Sequence, residues 1–371
     1  MTFDLSLLRD GGIAWLDASG PESGIVLSTR VRLARNLQGF PFTIRCKPED
    51  RNVIKQAVLE AGRESPQLAD ASVFDLTGLD KHHRQLLHER HVVSKELAAL
   101  EGEGAVKPGA AVQTDGRIGV MINEEDHARL QVLRSGFALG EAYADLERLD
   151  ADLGSRLSFA FHPEFGYLTS CPTNAGTGLR ASVLIHLPGL VLTKEIARVL
   201  QGLSQVGLTF RGIYGEGSEV VGNFFQLSNQ TTLGKSEEDL LDHLTKIVRQ
   251  VIAYENQARD VLRRDAMGVI ADKVWRAYGL LRYARSLTFD ETMNLLSGVR
   301  LGVGLNLIHG LSVYTLNKLS VFAQPAHLAH LEGRLLPDAE ISIARASHVR
   351  AALVADEVRP SGGAMSTDRG M

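Results

Sequence analysis

The chain has 371 residues, 44% hydrophobic and 23% charged, with a formal net charge of −4. That is enough for one large domain or two ordinary ones, and the slight acidic balance argues against direct nucleic-acid binding. Two cysteines far apart in sequence, Cys46 and Cys171, exclude a disulfide framework and favour a reducing, cytoplasmic setting. No apolar run reaches the roughly 18 residues of a membrane-spanning helix. Residues 1–15, with Asp4 and Asp10 and no long apolar core, do not read as a signal peptide.

Taken in chain order, residues 24–33 alternate. Ile25, Leu27, Thr29, Val31 and Leu33 fall on one side and Val26, Ser28, Arg30 and Arg32 on the other, which predicts a half-buried strand with both arginines on one face. Helices are expected over 51–60 and 81–90, and a short apolar run at 117–122 leads into Asn123-Glu124-Glu125-Asp126-His127. Asn123 could cap an acidic helix, but Ala128, Leu130 and Val132 alternate with their neighbours until Ser135-Gly136. A strand is preferred, with Glu125, His127 and Arg129 on one face. A helix follows over 137–151. Residues 163–182 and 211–235, rich in Gly, Asn, Thr and Pro, read as active-site loops. Ser236 starts a helix over 236–253, and helix follows helix from about 256 to 320, including a capping box at Thr288-Phe289-Asp290-Glu291. The expected division is 1–255, 256–355 and a flexible tail, 356–371.

Three segments bear arginines: Ser28-Thr29-Arg30-Val31-Arg32, Cys171-Pro172-Thr173-Asn174 running through a Gly-rich turn to Arg180, and Arg211-Gly212-Ile213-Tyr214-Gly215-Glu216-Gly217. A guanidinium matches phosphate oxygens in pairs and stays charged, while adjacent carboxylates suit a cationic or proton-donating acceptor. Phosphoryl transfer to nitrogen accounts for both. The blander readings are a solvated strand face for Arg30 and Arg32, ordinary ion pairs for Arg180 and Arg211, a plain acidic turn, and a buried Cys171. Gly234-Lys235-Ser236 fails the full phosphate-loop pattern because Asn229 stands where glycine is needed. Gly215-Glu216-Gly217 lacks the third glycine of a dinucleotide fingerprint, and His88-Glu89-Arg90-His91 lacks zinc-protease spacing.

The strings GIVLSTRVRLARNLQGFPF at 24–42, GYLTSCPTNAGTGLRASVLIHLPGL at 166–190 and RGIYGEGSEVVGNFFQLSNQTTLGKSEEDLL at 211–241, in this order, resemble the guanidino-kinase (phosphagen kinase) family, and within it the bacterial protein-arginine kinase branch. The likeness continues more weakly to about residue 355. The chain also starts almost at the first strand motif, without the helical N-terminal domain of small-guanidine kinases. The resemblance implies an α/β (α+β) catalytic domain with a mostly antiparallel sheet flanked by helices, and a helical C-terminal domain that docks substrate or a second subunit. It implies that Ser28, Arg30, Arg32, Arg129, Arg180 and Arg211 hold ATP, with Mg²⁺ carried by the nucleotide and by no protein side chain. It places Glu125 as base, with Glu216 as second carboxylate and Cys171 as a thiolate, all against the guanidinium. The implied partners are proteins with exposed arginines, a zinc-finger-type activator, a Clp-type protease and a second copy in a homodimer.

One departure concerns the Arg-Asp-x-x-Arg-Ala motif with which the branch binds phosphoarginine. Here the stretch is Ile341-Ser342-Ile343-Ala344-Arg345-Ala346. Arg345 and Ala346 are kept, but the first Arg and the Asp that would pair with a guanidinium are absent, so helix packing is the expected role of 341–352. The expected function is ATP-dependent phosphorylation of protein arginines in protein quality control. The alternatives are a kinase of a free guanidino compound and an inactive phosphoarginine-binding adaptor.

Overall fold

The computed structural model describes residues 13–100, 106–212 and 220–357. Glu216, one of the expected carboxylates, lies outside the described residues, as does the expected tail beyond Glu357. Two compact units divide at Ala258/Arg259.

The first unit runs β1 (Val26–Arg35), α1 (Pro48–Arg63), β2 (Ser72–Asp75), α2 (Lys81–Glu89), β3 (Ala110–Thr114), β4 (Ile118–Ile122), β5 (Ala128–Ser135), α3 (Leu139–Gly154), β6 (Phe161–His162), β7 (Gly166–Tyr167), β8 (Leu179–His186), α4 (Pro188–Leu192), α5 (Ile196–Gln205), β9 (Leu208–Arg211), β10 (Phe224–Asn229) and α6 (Glu237–Asp265) as far as Ala258. Eight strands form one sheet in the order β2-β3-β4-β5-β1-β8-β10-β9, every pairing antiparallel. The α/β class with an antiparallel sheet is as expected.

Period-two alternation divides the sheet chemically. Val31, Leu33, Leu130, Val132, Ala181, Val183 and Leu227 point to one face. There they join Ile54 and Val58 of α1, Ala142, Leu146 and Leu149 of α3, and Leu244 and Val248 of α6 in one core. α3 presents its apolar residues at helical spacing, as periodicity predicted. Helix α6 is longer than the expected 236–253. Ser236 Oγ accepts from Asp239 N at 3.1 Å, so the Gly-Lys-Ser sequence is a helix start and not a phosphate loop.

The second unit is helical: α7 (Met267–Tyr283), α8 (Phe289–Gly304), α9 (Val313–Phe322), α10 (Pro325–Leu331) and α11 (Asp338–Glu357). The expected cap is present, Thr288 Oγ1 accepting from Glu291 N at 3.2 Å. Asp356 accepts from Ser312 N at 2.7 Å and ties the end of α11 to the start of α9.

Candidate active site

The other sheet face is cationic. Register places Arg32 directly opposite Arg180, Ala34 opposite Arg129, Arg30 opposite Ser182, and Gln226 opposite Arg211. Directly opposed residues share a face, so Arg30 and Arg32 of β1, Arg129 of β5, Arg180 of β8 and Arg211 of β9 all lie on one side of the sheet. Ser28 lies on it too, beside Arg30 in a small cavity shared with Trp15, His91 and Gln226. Arg30 donates to Gln226 Oε1 at 3.0 Å, and Arg180 to the Gln230 carbonyl at 3.1 Å.

This clustering is costly without an anion. Like charges directly opposed on a sheet destabilise it, and Arg32 and Arg180 are such a pair. Burial and then Arg129 lower the Arg30 guanidinium to about 10, against a raising effect from Glu124. Burial, followed by Arg129, Arg30 and Arg180, pushes Arg32 well below its ordinary value. Both side chains are half-buried, and repulsion from Arg129 adds to burial in lowering both. Burial and the nearby Arg30 also hold the His91 imidazole neutral, its pKa down to about 3.

Glu124 is the carboxylate within this face. Its side chain is 4% exposed and meets Arg129 Nη1 at 2.5 Å. Burial alone would raise its pKa, but Arg129 and hydrogen bonds from Glu125 N and Ser94 bring it down to about 2. The neighbouring Glu125 is in the opposite state. Partial burial, Asp126 and Glu124 raise its carboxyl, only partly offset by Arg129 and by a hydrogen bond from Cys171. Two adjacent glutamates thus differ in electrostatic state: Glu124 is held as an anion by Arg129, whereas the Glu125 carboxyl, in contact with Cys171, binds its proton more readily than an ordinary glutamate.

The structure corrects the expectation that Glu125, His127 and Arg129 share a strand face. Residues 123–127 form the tight turn between β4 and β5, and the strand starts at Ala128. Asn123 takes φ +60° and its N–H closes the turn on the His127 carbonyl at 2.9 Å. His127 points inward. Its Nδ1 accepts from Leu37 N at 3.0 Å and its Nε2 lies 2.9 Å from the Pro41 carbonyl, which requires the Nε2–H tautomer. Burial lowers its pKa.

Asp126, singled out within the acidic sequence but given no role of its own, and Asn36, which sequence reasoning passed over, bring Cys171 to Glu125. Buried Asp126 accepts from Asn36 Nδ2 and from Ser170 N, both at 2.7 Å through Oδ1. Asn36 Nδ2 also reaches the Leu168 carbonyl at 3.0 Å, and its Oδ1 accepts from His127 N at 3.0 Å. Asn36 ends the Arg-Val-Arg-Leu-Ala-Arg-Asn string, so proximity to the arginines was the available signal. Cys171 Sγ lies 3.1 Å from Thr173 Oγ1. The glycines of this stretch serve a close crossing: a Cβ on Gly166 (φ +70°) would meet the Gly176 carbonyl oxygen at 2.5 Å.

The expected loops at 163–182 and 211–235 are shorter than read, since β7, β8 and β10 begin inside them. Arg345 is buried in α11, with Nε on the Ala323 carbonyl at 2.7 Å and Nη1 on the Leu287 carbonyl at 2.9 Å, and Ala346 is fully buried beside it. Among the described residues no group of three or more His, Cys, Asp or Glu is arranged to hold a metal, and no helix is long and apolar enough to cross a membrane.

Comparison with known proteins identifies the family. Residues 52–258 match the family model described as ATP:guanido phosphotransferase, C-terminal catalytic domain, and residues 267–362 match that of the protein-arginine kinase McsB C-terminal domain. The chain belongs to the ATP:guanido phosphotransferase family and is a phosphotransferase enzyme that draws on ATP. Within that family it falls in the McsB-like branch. It is 44% identical to a protein-arginine kinase of Desulforamulus reducens over 339 residues, covering 91% of this chain and 94% of that one. It is 45% identical to one of Symbiobacterium thermophilum over 347 residues, covering 92% and 96%. Among solved structures, a duplicated taurocyamine kinase of Schistosoma mansoni with bound transition-state-analogue components matches with TM-score 0.58 and 27% identity, over 64% of this chain and 34% of that one. Lombricine kinase shares the fold, with TM-score 0.56 and 22% identity over 65% and 70%.

Proposed function

We propose that this enzyme transfers the γ-phosphoryl group of ATP to the guanidinium of arginine side chains in proteins. The observation that carries it is the five-arginine sheet face ending at a Glu125–Cys171 pair. The arginines bind the phosphates and neutralise charge on the transferring group, with Mg²⁺ held by the nucleotide adding to that neutralisation. An arginine guanidinium is protonated near neutrality, because its pKa exceeds about 12. Glu125, with its raised pKa, takes the proton as nitrogen attacks. The new N–P bond forms as the bond from the γ-phosphorus to the bridging oxygen breaks, and ADP leaves. Cys171 lies against the guanidinium and, with Glu216 as the second carboxylate, orients it. Asp126 and Asn36 position Cys171.

Protein substrates are favoured over free guanidines by the high identity to relatives named protein-arginine kinase across both units. The solved neighbours named for taurocyamine and lombricine support the second reading, a small-guanidine kinase. Competition separates the two: free arginine phosphorylated as efficiently as an unfolded polypeptide overturns the first. We place the activity in the cytoplasm, in stress response and protein quality control, with a zinc-finger-type activator, a Clp-type protease and a homodimer as partners, on family resemblance alone. The helical unit is proposed to dock substrate or a second subunit. Arg345 and Ala346 are proposed as packing residues, since the guanidinium of Arg345 is spent on two main-chain carbonyls and the acid of the phosphoarginine motif is replaced by Ser342.

A further inference from the structure

A second cavity, of about 470 Å³, opens beside the catalytic segment and has no part in the mechanism above. Its walls are Glu147, Asp150 and Gly154 on α3, then Phe159, Phe161 and Tyr167. Phe161 is 57% exposed and meets Tyr167 edge-on at 5.3 Å. The Tyr167 ring is also covered by the Arg35 guanidinium, 3.5 Å from its centroid. That guanidinium is fully committed: Nε and Nη2 reach the two Asp150 oxygens at 2.9 and 2.7 Å, and Nη1 reaches the Ala34 and Thr177 carbonyls. It therefore offers nothing to an anion. Glu147 stands exposed at the rim. Beyond burial, Glu237, Glu147 and Asp150 raise the nearby Tyr143 hydroxyl to about 12, against a lowering effect from Arg35.

The hairpin that builds this cavity is continuous with the active site. Tyr167 precedes Cys171 by four residues, and between them Leu168 and Ser170 are bonded to the Asn36 and Asp126 that also hold the acidic turn. Four extended residues span at most about 14 Å. With Asp150 committed to Arg35, the exposed Glu147 carboxylate above the Phe161 and Tyr167 wall is the group that would attract a long aliphatic stem ending in a cation, through Coulomb and cation–π attraction.

We propose that this cavity is a subsite for a second cationic side chain, lysine or arginine, on the polypeptide that presents its target arginine to Glu125 and Cys171. The proposal rests on the protein-substrate reading above and names the preferred substrate, a basic segment. Charge complementarity selects that occupant over an acidic or nucleotide ligand.

The test uses fluorescently labelled peptides with one arginine and a lysine placed one to five residues away on either side, each matched by a peptide with glutamine there. The full-length enzyme and its Phe161→Ala and Glu147→Gln variants are compared by anisotropy for binding and by phosphorylation kinetics, with melting temperatures to confirm folding. At one favoured spacing the lysine peptide should show Kd and KM roughly fivefold below its glutamine partner with the unaltered enzyme. That preference should vanish in both variants, with kcat and the glutamine-peptide kinetics unchanged. Phosphorylation with no lysine preference, or a preference that survives both variants, overturns the subsite and leaves the kinase reading standing. A lysine preference in binding that both variants abolish, without phosphorylation of any peptide, upholds the subsite and sinks the kinase reading.

Discussion

Replacing Glu124 by glutamine tests whether the arginine face is held together by one buried carboxylate. The carboxyl falls from the ordinary 4.5 to about 2 in the folded chain, with its side chain 4% exposed, so little solvent screening applies. At about 1.4 kcal/mol per unit, that difference corresponds to roughly 3 kcal/mol of stability near neutrality. The sign follows from linkage. A carboxyl whose folded pKa is depressed stabilises above the unfolded value, and that contribution is lost as pH falls from about 4.5 towards 2. Urea titrations of both proteins from pH 7 to pH 2.5 should therefore show Glu124→Gln less stable by about 3 kcal/mol above pH 5, with the gap closing below pH 4.5. Glutamine keeps a polar atom near Arg129, so the loss reflects charge more than shape. A gap below about 1 kcal/mol at neutrality, or one that stays constant with pH, would refute the reasoning.

Four further outcomes follow from the geometry. Glu125→Gln should cut kcat by roughly 10²–10⁴-fold without loss of melting temperature, since its charged form is disfavoured in the folded state; single-turnover rates and thermal melts check both. In the unaltered enzyme the acid limb of kcat/KM should have its midpoint above 4.5, because the Glu125 carboxyl is raised and must be ionised to accept a proton; a midpoint at or below 4.5 contradicts this. Arg32→Gln should relieve repulsion from Arg129, Arg30 and Arg180, leaving melting temperature equal or higher, while kcat/KM for ATP drops roughly 100-fold; unchanged ATP kinetics would remove Arg32 from the phosphate site. Asp126→Ala leaves Ser170 N without its acceptor and removes one of the two acceptors of Asn36 Nδ2, and should cost about 1–3 kcal/mol, with kcat falling as Cys171 loses its anchor; full activity would show that the loop holds its place unaided.

Local periodicity carried much of the fold. The alternation at 24–33 placed Arg30 and Arg32 on one face, and helical spacing located α3 with its core residues. What periodicity could not supply was pairing between strands distant in the chain. Arg32 and Arg180 are far apart in sequence yet opposed in the sheet, so the five-arginine face emerges only from register. The acidic sequence misled for a local reason: alternation from Ala128 onward extends backward over Glu125 on paper, whereas Asn123 in the left-handed region folds 123–127 into a turn. Asn36 and Trp15 were passed over, and Asp126 and His91 were named without a role, because their importance lies in hydrogen bonds and packing between segments. Glu216 was singled out by resemblance and lies outside the described residues.

The most direct measurement is peptide mass spectrometry, under conditions that preserve acid-labile phosphate, of an unfolded polypeptide incubated with ATP, Mg²⁺ and the enzyme, with Glu125→Gln in parallel. Phosphate on arginine nitrogen with the unaltered enzyme and none with the variant is the predicted result. Phosphate confined to hydroxyl side chains, or equal arginine phosphorylation by both proteins, would contradict the central claim that the arginine face and Glu125 together phosphorylate protein arginines.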